Sequence, residues 1–297
     1  MGTHTLPILQ KLRVLREFGG NRQTLGLADE VISRFAAQDY QLAEAVDAAA
    51  VKFQQLCDDD PDFMALDEAS QIAQIQAGFI NFYPEEAVQP YSALAGRGPW
   101  IITMKGAVIH DSGGYGMLGL GHAPANILAA MNQQQVMANV MTPNISQMRL
   151  HDALVREIGH TRNAPCPLDQ FLCLNSGSEA VSLAARISDV NAKLMTDPGG
   201  RHANKSIRMA SLCGGFHGRT ERPAQFSDSS RQTYVRHLAS FRDHDRLLTV
   251  EPNNVEQLRQ IFNWADSNNV FIEAFFMEPV MGEGNPGQAI SRAFYDA

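Results

Sequence analysis

Short apolar runs alternate with helical segments through the second half of the chain, and this alternation constrains the fold more than any other feature. Beyond about residue 124, some segments carry apolar residues at helical spacing and others form short β-rich runs. Strands separated by helices in this way are typical of a parallel sheet covered on both faces. The sequence therefore predicts an α/β fold of three layers, α/β/α, with a mainly parallel sheet. The predicted helices span residues 126–137, 147–158, 179–190 and 255–265, and the predicted strands span residues 171–174, 207–212, 247–250 and 274–277.

The N-terminal residues 1–95 have a different character and are predicted to form a helical extension. Apolar positions three and four residues apart indicate helices at residues 41–56 and 68–80. A break is predicted at residues 58–61 (DDDP), because three carboxylates repel one another and proline disfavours helix in the residue before it. A cation site is the alternative interpretation of this acidic run, but no second acidic cluster follows at ligand spacing.

Residues 96–125, between these two parts, are predicted to be mainly β-structure. Glycines and a proline at residues 96–99 precede short alternating runs at 100–104 and 107–110, which predict a hairpin or a small meander. The predicted organisation is therefore a helical extension at 1–95, a β part at 96–125 and an α/β part at 126–297.

The balance of charges excludes several classes of partner. Asp and Glu outnumber Lys and Arg by 32 to 24, which gives a formal net charge of −8, and no window contains a basic cluster. Because such clusters bind phosphate backbones, we expect no nucleic-acid partner. No apolar stretch reaches membrane-spanning length, and the N-terminal residues lack a signal-peptide pattern. We therefore expect no membrane partner and a cytoplasmic location.

The cysteines and histidines show no pattern that would indicate a disulfide scaffold or a metal site. The four cysteines form no CxxC pair, and the nine histidines are scattered without ligand spacing. We expect reduced thiols, with Cys173 in a buried strand, and no bound metal.

The strongest signal of a ligand is a strand that runs through a turn of small residues directly into a helix, at residues 171–180 (FLCLNSGSEA). The first amides of a helix have no partner within the helix, and the helix dipole is positive there. A phosphate can therefore bind at Gly177 and Ser178. Ser176 and Glu179 also match a capping box, so a well-capped helix without a ligand is the alternative interpretation.

A second glycine-rich string, residues 114–119 (GYGMLG), fits the GxGxxG pattern of dinucleotide-binding folds. That pattern requires its last glycine to open a helix and an acidic residue to follow about 20 positions later, and the sequence meets neither condition. Tight turns in a small β-rich part are the preferred interpretation.

Two further loops follow predicted strands and would lie at the carboxyl edge of the sheet, where ligands of parallel sheets bind. Residues 213–220 (CGGFHGRT) hold Phe216 between glycines. Its ring can stack on a flat ligand there, although a core phenylalanine fits the same pattern. Residues 275–285 (FFMEPVMGEGN) place two carboxylates, Glu278 and Glu283, five residues apart, where they can orient cations or serve in acid–base chemistry.

Together and in this order, these segments resemble the class III aminotransferases, which have the architecture of fold type I pyridoxal-phosphate enzymes. The resemblance extends from about residue 96 to the end of the chain. The matching stretches are GPWI at 98–101, LGLGH at 118–122, NSGSEA at 175–180, GFHGRT at 215–220, and the stretch from Glu278 to Gly284.

The resemblance implies a role in cofactor binding for five of the matching residues. Gly177 and Ser178 would bind the phosphate of pyridoxal phosphate. Phe216 would stack on the face of its ring, with His217 beside it. Glu278 would support the hydrogen-bonded group near the ring.

The resemblance also indicates a substrate-side residue and the parts of the site that the sequence lacks. Glu283 resembles a carboxylate that pairs with a substrate-related arginine in the amino-acid-specific members. The lysine that carries the cofactor and the aspartate at its ring nitrogen match no residue here. We therefore assign no catalytic residue and expect those segments to follow residue 297.

For the complete protein, the resemblance implies amino-group transfer between an amine or amino acid and a keto acid, in a homodimer with pyridoxal phosphate as cofactor. Residues 96–125 would begin the small domain, and residues 126–297 would be the first part of the large cofactor-binding domain. An aminomutase, decarboxylase or lyase of the same family is one alternative. A catalytically inactive interaction module is another.

Overall fold

The computed structural model describes residues 7–80, 88–112, 119–136, 138–139, 141–242 and 246–297. The chain divides into two compact units, Met1–Asn139 and Val140–Ala297, here called unit 1 and unit 2. The domain boundaries predicted at residues 95 and 125 stay a prediction about the complete protein. Residues 114–118, which are most of the GxGxxG string, lie outside the described residues.

Unit 1 contains helices followed by a short antiparallel sheet and one further helix. The predicted break at residues 58–61 is confirmed, because the Asp60 carboxylate accepts a hydrogen bond from the Phe63 amide and Pro61 begins the next helix. The sheet has the order β1-β2-β3. The elements are α1 (Ile8–Glu17), α2 (Asp29–Ala36), α3 (Tyr40–Asp59), α4 (Pro61–Ala65), α5 (Glu68–Gln76), β1 (Ala93–Arg97), β2 (Trp100–Thr103), β3 (Val108–His110) and α6 (Ala125–Met131).

The N-terminal helices and the meander share one hydrophobic core. Apolar residues of α1 to α4 pack with residues of all three strands, and the Trp100 indole donates a hydrogen bond to Asp39 Oδ2 at 2.7 Å. The fully buried side chains at the centre of this core include Leu12, Ile32, Leu42, Met64, Trp100 and Ile102.

A buried lysine joins the turn between β2 and β3 to the helical part of unit 1. Lys105 is 2% exposed, and its ammonium donates hydrogen bonds to the carbonyl oxygens of Gly19 at 2.9 Å, Met64 at 3.2 Å and Leu66. The buried carboxylate of Glu68 accepts from two backbone amides nearby in the fold. A charged side chain in this position needs such partners, since an unpaired buried charge is strongly unfavourable.

Unit 2 is built around three parallel strands in the order β5-β4-β6. The bounds of β4 and β5 agree closely with the sequence-based prediction, whereas β6 begins four residues before the strand predicted at 274–277. The predicted parallel pairing is confirmed. The elements of unit 2 are α7 (Ile145–Gly159), α8 (Gly177–Thr196), β4 (Ser206–Leu212), α9 (Glu221–Phe226), α10 (Arg231–His237), β5 (Leu247–Val250), α11 (Val255–Ser267), β6 (Val270–Phe276) and α12 (Arg292–Asp296).

Helices cover this sheet on both faces. Met209 and Leu247 point to the face where they pack with Ala185 of α8 and Phe226 of α9. Leu212 and Val250 lie three positions further along the same strands, point to the opposite face and pack with residues of α11 and α12. Side chains of a strand alternate between the two faces, so buried side chains at odd separations indicate a sheet that is buried on both sides. The predicted three-layer α/β/α fold is therefore confirmed.

Helix α8 is apolar on two opposite sides. Ala185 and Ala192 are fully buried on the side that faces the sheet. On the other side, Ile187, Val190 and Leu194 are 65%, 57% and 68% exposed. Their spacing of three and four residues makes them a continuous stripe along the helix.

One predicted strand is absent. Residues 171–174 form no strand, and Cys173 is exposed instead of buried. Apolar composition predicts the propensity for a strand, but a strand exists only where a neighbour accepts and donates its backbone hydrogen bonds. No described strand pairs with this segment, and Leu172 is 65% exposed. Two predicted helices are also shorter than expected, since α5 ends at Gln76 and α6 at Met131.

Candidate functional site

Three segments of unit 2 meet at the carboxyl edge of its parallel sheet. They are the α8 turn (residues 175–178), the β4 loop (residues 213–220) and the β6 loop (residues 277–285). The β4 and β6 loops touch at two glycines, because a Cβ atom on Gly284 would overlap with the carbonyl oxygen of Gly214. The β4 loop touches the α8 turn through Gly218 and Ser178. The three predicted ligand-binding segments therefore lie together.

The α8 turn presents unpartnered amides. Ser176 caps the helix, since its hydroxyl accepts a hydrogen bond from the Glu179 amide at 3.2 Å. The Glu179 carboxylate accepts from the Asn175 amide at 2.8 Å, one residue before the position that a capping box requires. The amides of Gly177 and Ser178 have no hydrogen-bond partner among the described residues, and open space lies where a Gly177 side chain would project. An anion fits this position.

The backbone of the β4 loop is held by three side chains from other segments. The Gly214 amide donates to Asp228 Oδ2 at 2.8 Å, the Phe216 amide to Glu278 Oε2 at 2.9 Å, and the His217 amide to Ser227 Oγ at 2.9 Å. The other oxygen of Glu278 accepts from the Gly282 amide at 2.8 Å. A single carboxylate therefore joins the β4 and β6 loops.

The Phe216 ring lies beside a pair of opposite charges. The Arg219 guanidinium lies over the ring, 5.4 Å from its centroid, and donates to both carboxylate oxygens of Glu283 at 3.0 and 3.2 Å. The sequence did not indicate this pairing. Glu283 thus has an arginine partner within this chain, 64 residues earlier, although the resemblance had implied one elsewhere.

A second charged contact fixes α8 relative to its neighbours. Glu273 of β6 has only 2% of its side chain exposed, and its Oε1 accepts from Arg222 at 2.5 Å and from the Ser188 hydroxyl at 2.7 Å. Arg222 belongs to α9 and Ser188 to α8. This contact holds the helix that carries the candidate anion site against the sheet and α9.

The β4 loop contains one histidine, His217, and its ring nitrogen Nε2 is buried. Its ring packs edge-on against Phe276 with centroids 5.7 Å apart, and its Nε2 atom has no hydrogen-bond partner among the described residues. Burial lowers the pKa of the imidazole below its usual value, and the Glu278 carboxylate offsets only part of this effect.

This lowered pKa predicts a loss of stability of unit 2 at acidic pH. Above about pH 6.5 both the folded and the unfolded chain hold His217 neutral. As the pH falls below that value, the unfolded chain takes up the proton first, so the free energy of unfolding decreases until the folded state is protonated too. We expect the fall in urea midpoint from pH 8 to pH 5 to be smaller in His217→Gln than in the parent. His237→Gln, at an exposed position of α10, is the control. A pH dependence in His217→Gln identical to that of the parent would contradict the prediction.

Neither lysine of unit 2 lies near the three segments. Lys193 comes sixteen residues after Gly177 in α8, which places it about 24 Å along the helix axis. It pairs with Asp197 at 2.6 Å. Lys205 pairs with Asp266 at 3.2 Å and precedes the first residue of β4, at the opposite edge of the sheet from the β4 loop.

Comparison with known proteins identifies the family of this chain. The family model described as "Aminotransferase class-III" matches residues 82–294, which is more than half of the chain. The chain belongs to the class III aminotransferase family. The cofactor of this family is pyridoxal phosphate. No curated protein sequence matches the chain significantly.

Solved structures support the fold of this class III aminotransferase chain. The ornithine aminotransferase from Toxoplasma gondii ME49 superposes with a TM-score of 0.55 at 16% identity, over 81% of this chain and 52% of that one. A transaminase from the marine bacterium Virgibacillus gives a TM-score of 0.55 at 18% identity, over 76% and 51%. An S-selective transaminase from Arthrobacter sp. gives 0.51 at 14% identity, over 76% and 51%. The chain spans about half the length of each of these structures, and its fold is that of the fold type I enzymes.

The class III aminotransferase chain thus brings together all the residues predicted for the cofactor site. Gly177 and Ser178 lie in the α8 turn, Phe216 and His217 in the β4 loop, and Glu278 at the start of the β6 loop. No helix in the described part of the chain is long and apolar enough to cross a membrane.

Sequence reasoning missed three residues of this site. Arg219 lies within the quoted motif, and its charge opposite to that of Glu283 was a usable signal. Ser227 and Asp228 lie beyond the motif, and their roles depend on contacts with the β4 loop that carry no pattern in the sequence.

Proposed function

We propose that unit 2 binds pyridoxal phosphate at the carboxyl edge of its sheet and contributes this site to an enzyme that transfers amino groups. The observation that carries the proposal is the pair of unpartnered amides at Gly177 and Ser178, next to the loop that bears Phe216, in a chain of this family. The complete reaction is proposed as transfer between an amine or amino acid and a keto acid.

The residues present fit this cofactor in charge and shape. A phosphate dianion needs several hydrogen-bond donors and a positive potential, and the N-terminus of the 20-residue helix α8 supplies both. The open space in front of Gly177 leaves room for the phosphate. Phe216 offers an aromatic face at the same edge of the sheet, where stacking adds about 0.5–1.5 kcal/mol beyond the burial of area.

Each proposed residue has a distinct task. The amides of Gly177 and Ser178 bind the phosphate, and the Ser178 hydroxyl is a further possible donor. Phe216 fixes the plane of the ring, and His217, the next residue of the loop, packs its own ring edge-on against Phe276. Glu278 holds the Phe216 backbone in place through its hydrogen bond of 2.9 Å. Pyridoxal phosphate, when bound, supplies the electron sink that amino-group transfer requires.

Glu283 is proposed to act on the substrate side through Arg219. The guanidinium is held by both carboxylate oxygens and lies over Phe216. The carboxylate therefore sets the position and the effective charge of a cation at the mouth of the site. The homodimer and the cytoplasmic location stay predictions.

Adding a negative charge to the α8 turn tests the proposed function. We expect Ser178→Ala to keep the affinity for pyridoxal phosphate within about threefold, since backbone amides bind the phosphate. We expect Ser178→Asp to weaken it at least about tenfold, because the carboxylate repels the phosphate and competes for the same amides. The measurement is the dissociation constant from a fluorescence titration of the full chain.

The control places the same charge at a helix start away from the site. Ser291 caps α12, where its hydroxyl accepts from the Phe294 amide at 3.2 Å, and aspartate is an equally good cap. Ser291→Asp should therefore bind the cofactor like the parent. Equal affinities for Ser178→Asp and Ser178→Ala would show that the α8 turn binds no phosphate.

A further inference from the structure

Ser227 is a fully buried serine at the end of α9 whose hydroxyl contacts the β4 loop twice. It is 0% exposed, and its Oγ atom accepts a hydrogen bond from the His217 amide at 2.9 Å. The same oxygen lies 3.0 Å from the carbonyl oxygen of Gly218 and 3.0 Å from that of Pro223, to either of which it can donate. The hydroxyl therefore holds the residue pair 217–218 at both ends.

This residue pair connects the two parts of the proposed cofactor site. Phe216, which bears the aromatic ring, precedes it. Its second member, Gly218, lies directly against the phosphate-binding turn, since a Cβ atom on Gly218 would be 2.5 Å from Ser178 Oγ. A shift of residues 217–218 would move the ring relative to the α8 turn.

The other two side chains that hold the β4 loop do not span this junction. Asp228 binds the Gly214 amide, near the start of the loop, and Glu278 binds the Phe216 amide. Among the described side chains that bond to the loop backbone, only Ser227 contacts both His217 and Gly218. His217 follows the aromatic ring in sequence, and Gly218 packs against Ser178. Its substitution would leave the His217 amide without that partner in a place that water does not reach.

We propose that Ser227 is a positioning residue that sets the distance between the aromatic platform and the phosphate-binding turn. Because Ser227 is fully buried, it would act on the cofactor through the loop and not by direct contact. A ligand that carries both a ring and a phosphate needs the two parts of the site in register, whereas a free phosphate needs only the α8 turn. The proposal rests on the proposed function, because it assumes that both parts bind one cofactor.

The test compares two ligands on matched variants of the full chain. Pyridoxal phosphate and inorganic phosphate are each titrated into the parent, Ser227→Ala and Ser229→Ala. Ser229 lies two residues away in the same segment and is exposed, so its variant should match the parent. We expect Ser227→Ala to weaken pyridoxal phosphate binding at least about tenfold and inorganic phosphate binding by less than about threefold. Thermal unfolding of each variant reports any general loss of structure.

The binding of the two ligands distinguishes a positioning role of Ser227 from a merely structural one. An equal loss for both ligands in Ser227→Ala would mean that the residue is merely structural, and unchanged binding of both would mean that the loop keeps its position without it. Both results overturn the positioning role and leave the proposed function intact. A parent chain that binds inorganic phosphate but gains nothing from the pyridoxal ring would overturn the proposed function itself. If Ser227→Ala does not fold, Ser227→Cys replaces it, since the slightly larger thiol keeps a weak donor and acceptor in the same place and so only weakens the hydrogen bonds.

Discussion

Replacing Lys105 with methionine is expected to lower the free energy of unfolding of unit 1 by about 3 kcal/mol. The ammonium donates to three carbonyl oxygens from two separate segments, and methionine fills a similar volume without any donor. The carbonyl oxygens would stay buried with a lost partner, and the Glu68 carboxylate would lose the nearby positive charge. The α1–α2 connection and the end of α4 would separate from the sheet.

Urea unfolding followed by tryptophan fluorescence measures this effect. The chain has two tryptophans, of which Trp100 is buried in the core of unit 1, so a Trp264→Phe background isolates its signal. Lys52→Met is the matched control, because Lys52 is an exposed residue of α3 and should change stability by less than about 0.5 kcal/mol. Equal urea midpoints for Lys105→Met and Lys52→Met would contradict a stabilising role of the buried Lys105 ammonium.

Replacing Gly218 with alanine is expected to destabilise unit 2 by about 3 kcal/mol and to remove cofactor binding. Two effects add at this position. Its φ of +121° lies where side chains are rarely tolerated, and the new Cβ would approach Ser178 Oγ to 2.5 Å and Pro223 Cβ to 3.0 Å. The α8 turn and the β4 loop would have to separate.

A second glycine of unit 2 separates these two effects. Gly199 has a φ of +90° but nothing within 4 Å of its Cβ position, so Gly199→Ala should cost only about 1 kcal/mol from backbone strain. Calorimetric unfolding of both variants gives the comparison. Combining Gly218→Ala with Ser178→Gly should recover part of the loss, because the overlapping hydroxyl is gone. If Gly218→Ala costs no more than Gly199→Ala, the close contact with Ser178 does not exist.

The parallel sheet of unit 2 could be predicted because its strands are apolar on both faces. Residues 247–250 coincide with β5, and residues 207–212 differ from β4 by one residue. The same reasoning failed at residues 171–174, where composition favours a strand but no described neighbour pairs with it. The local sequence determines the propensity to form a strand, whereas strand pairing depends on segments far away in the chain.

The location of the candidate site followed from the topology, but its internal contacts did not. Loops after parallel strands and the start of a following helix meet at one edge, which is why the α8, β4 and β6 segments could be expected together. The hydrogen bond between Phe216 and Glu278 joins residues 62 positions apart, and that between Arg219 and Glu283 spans 64. Contacts between residues so far apart leave no periodic pattern in the sequence from which they could be predicted. The burial of Lys105 was equally hidden, since lysine is almost always exposed.

The exposed stripe of α8 makes protein concentration a variable in every measurement on this chain. Ile187, Val190 and Leu194 lie open to water on the side of the helix that faces away from its sheet. Removing side chains of this size from water yields roughly 1.5–3 kcal/mol each. Two chains that met at this stripe would gain this free energy without any change of fold, against the entropy that association costs. We therefore expect self-association as the protein concentration rises, so unfolding midpoints and dissociation constants of this chain should be compared at several concentrations.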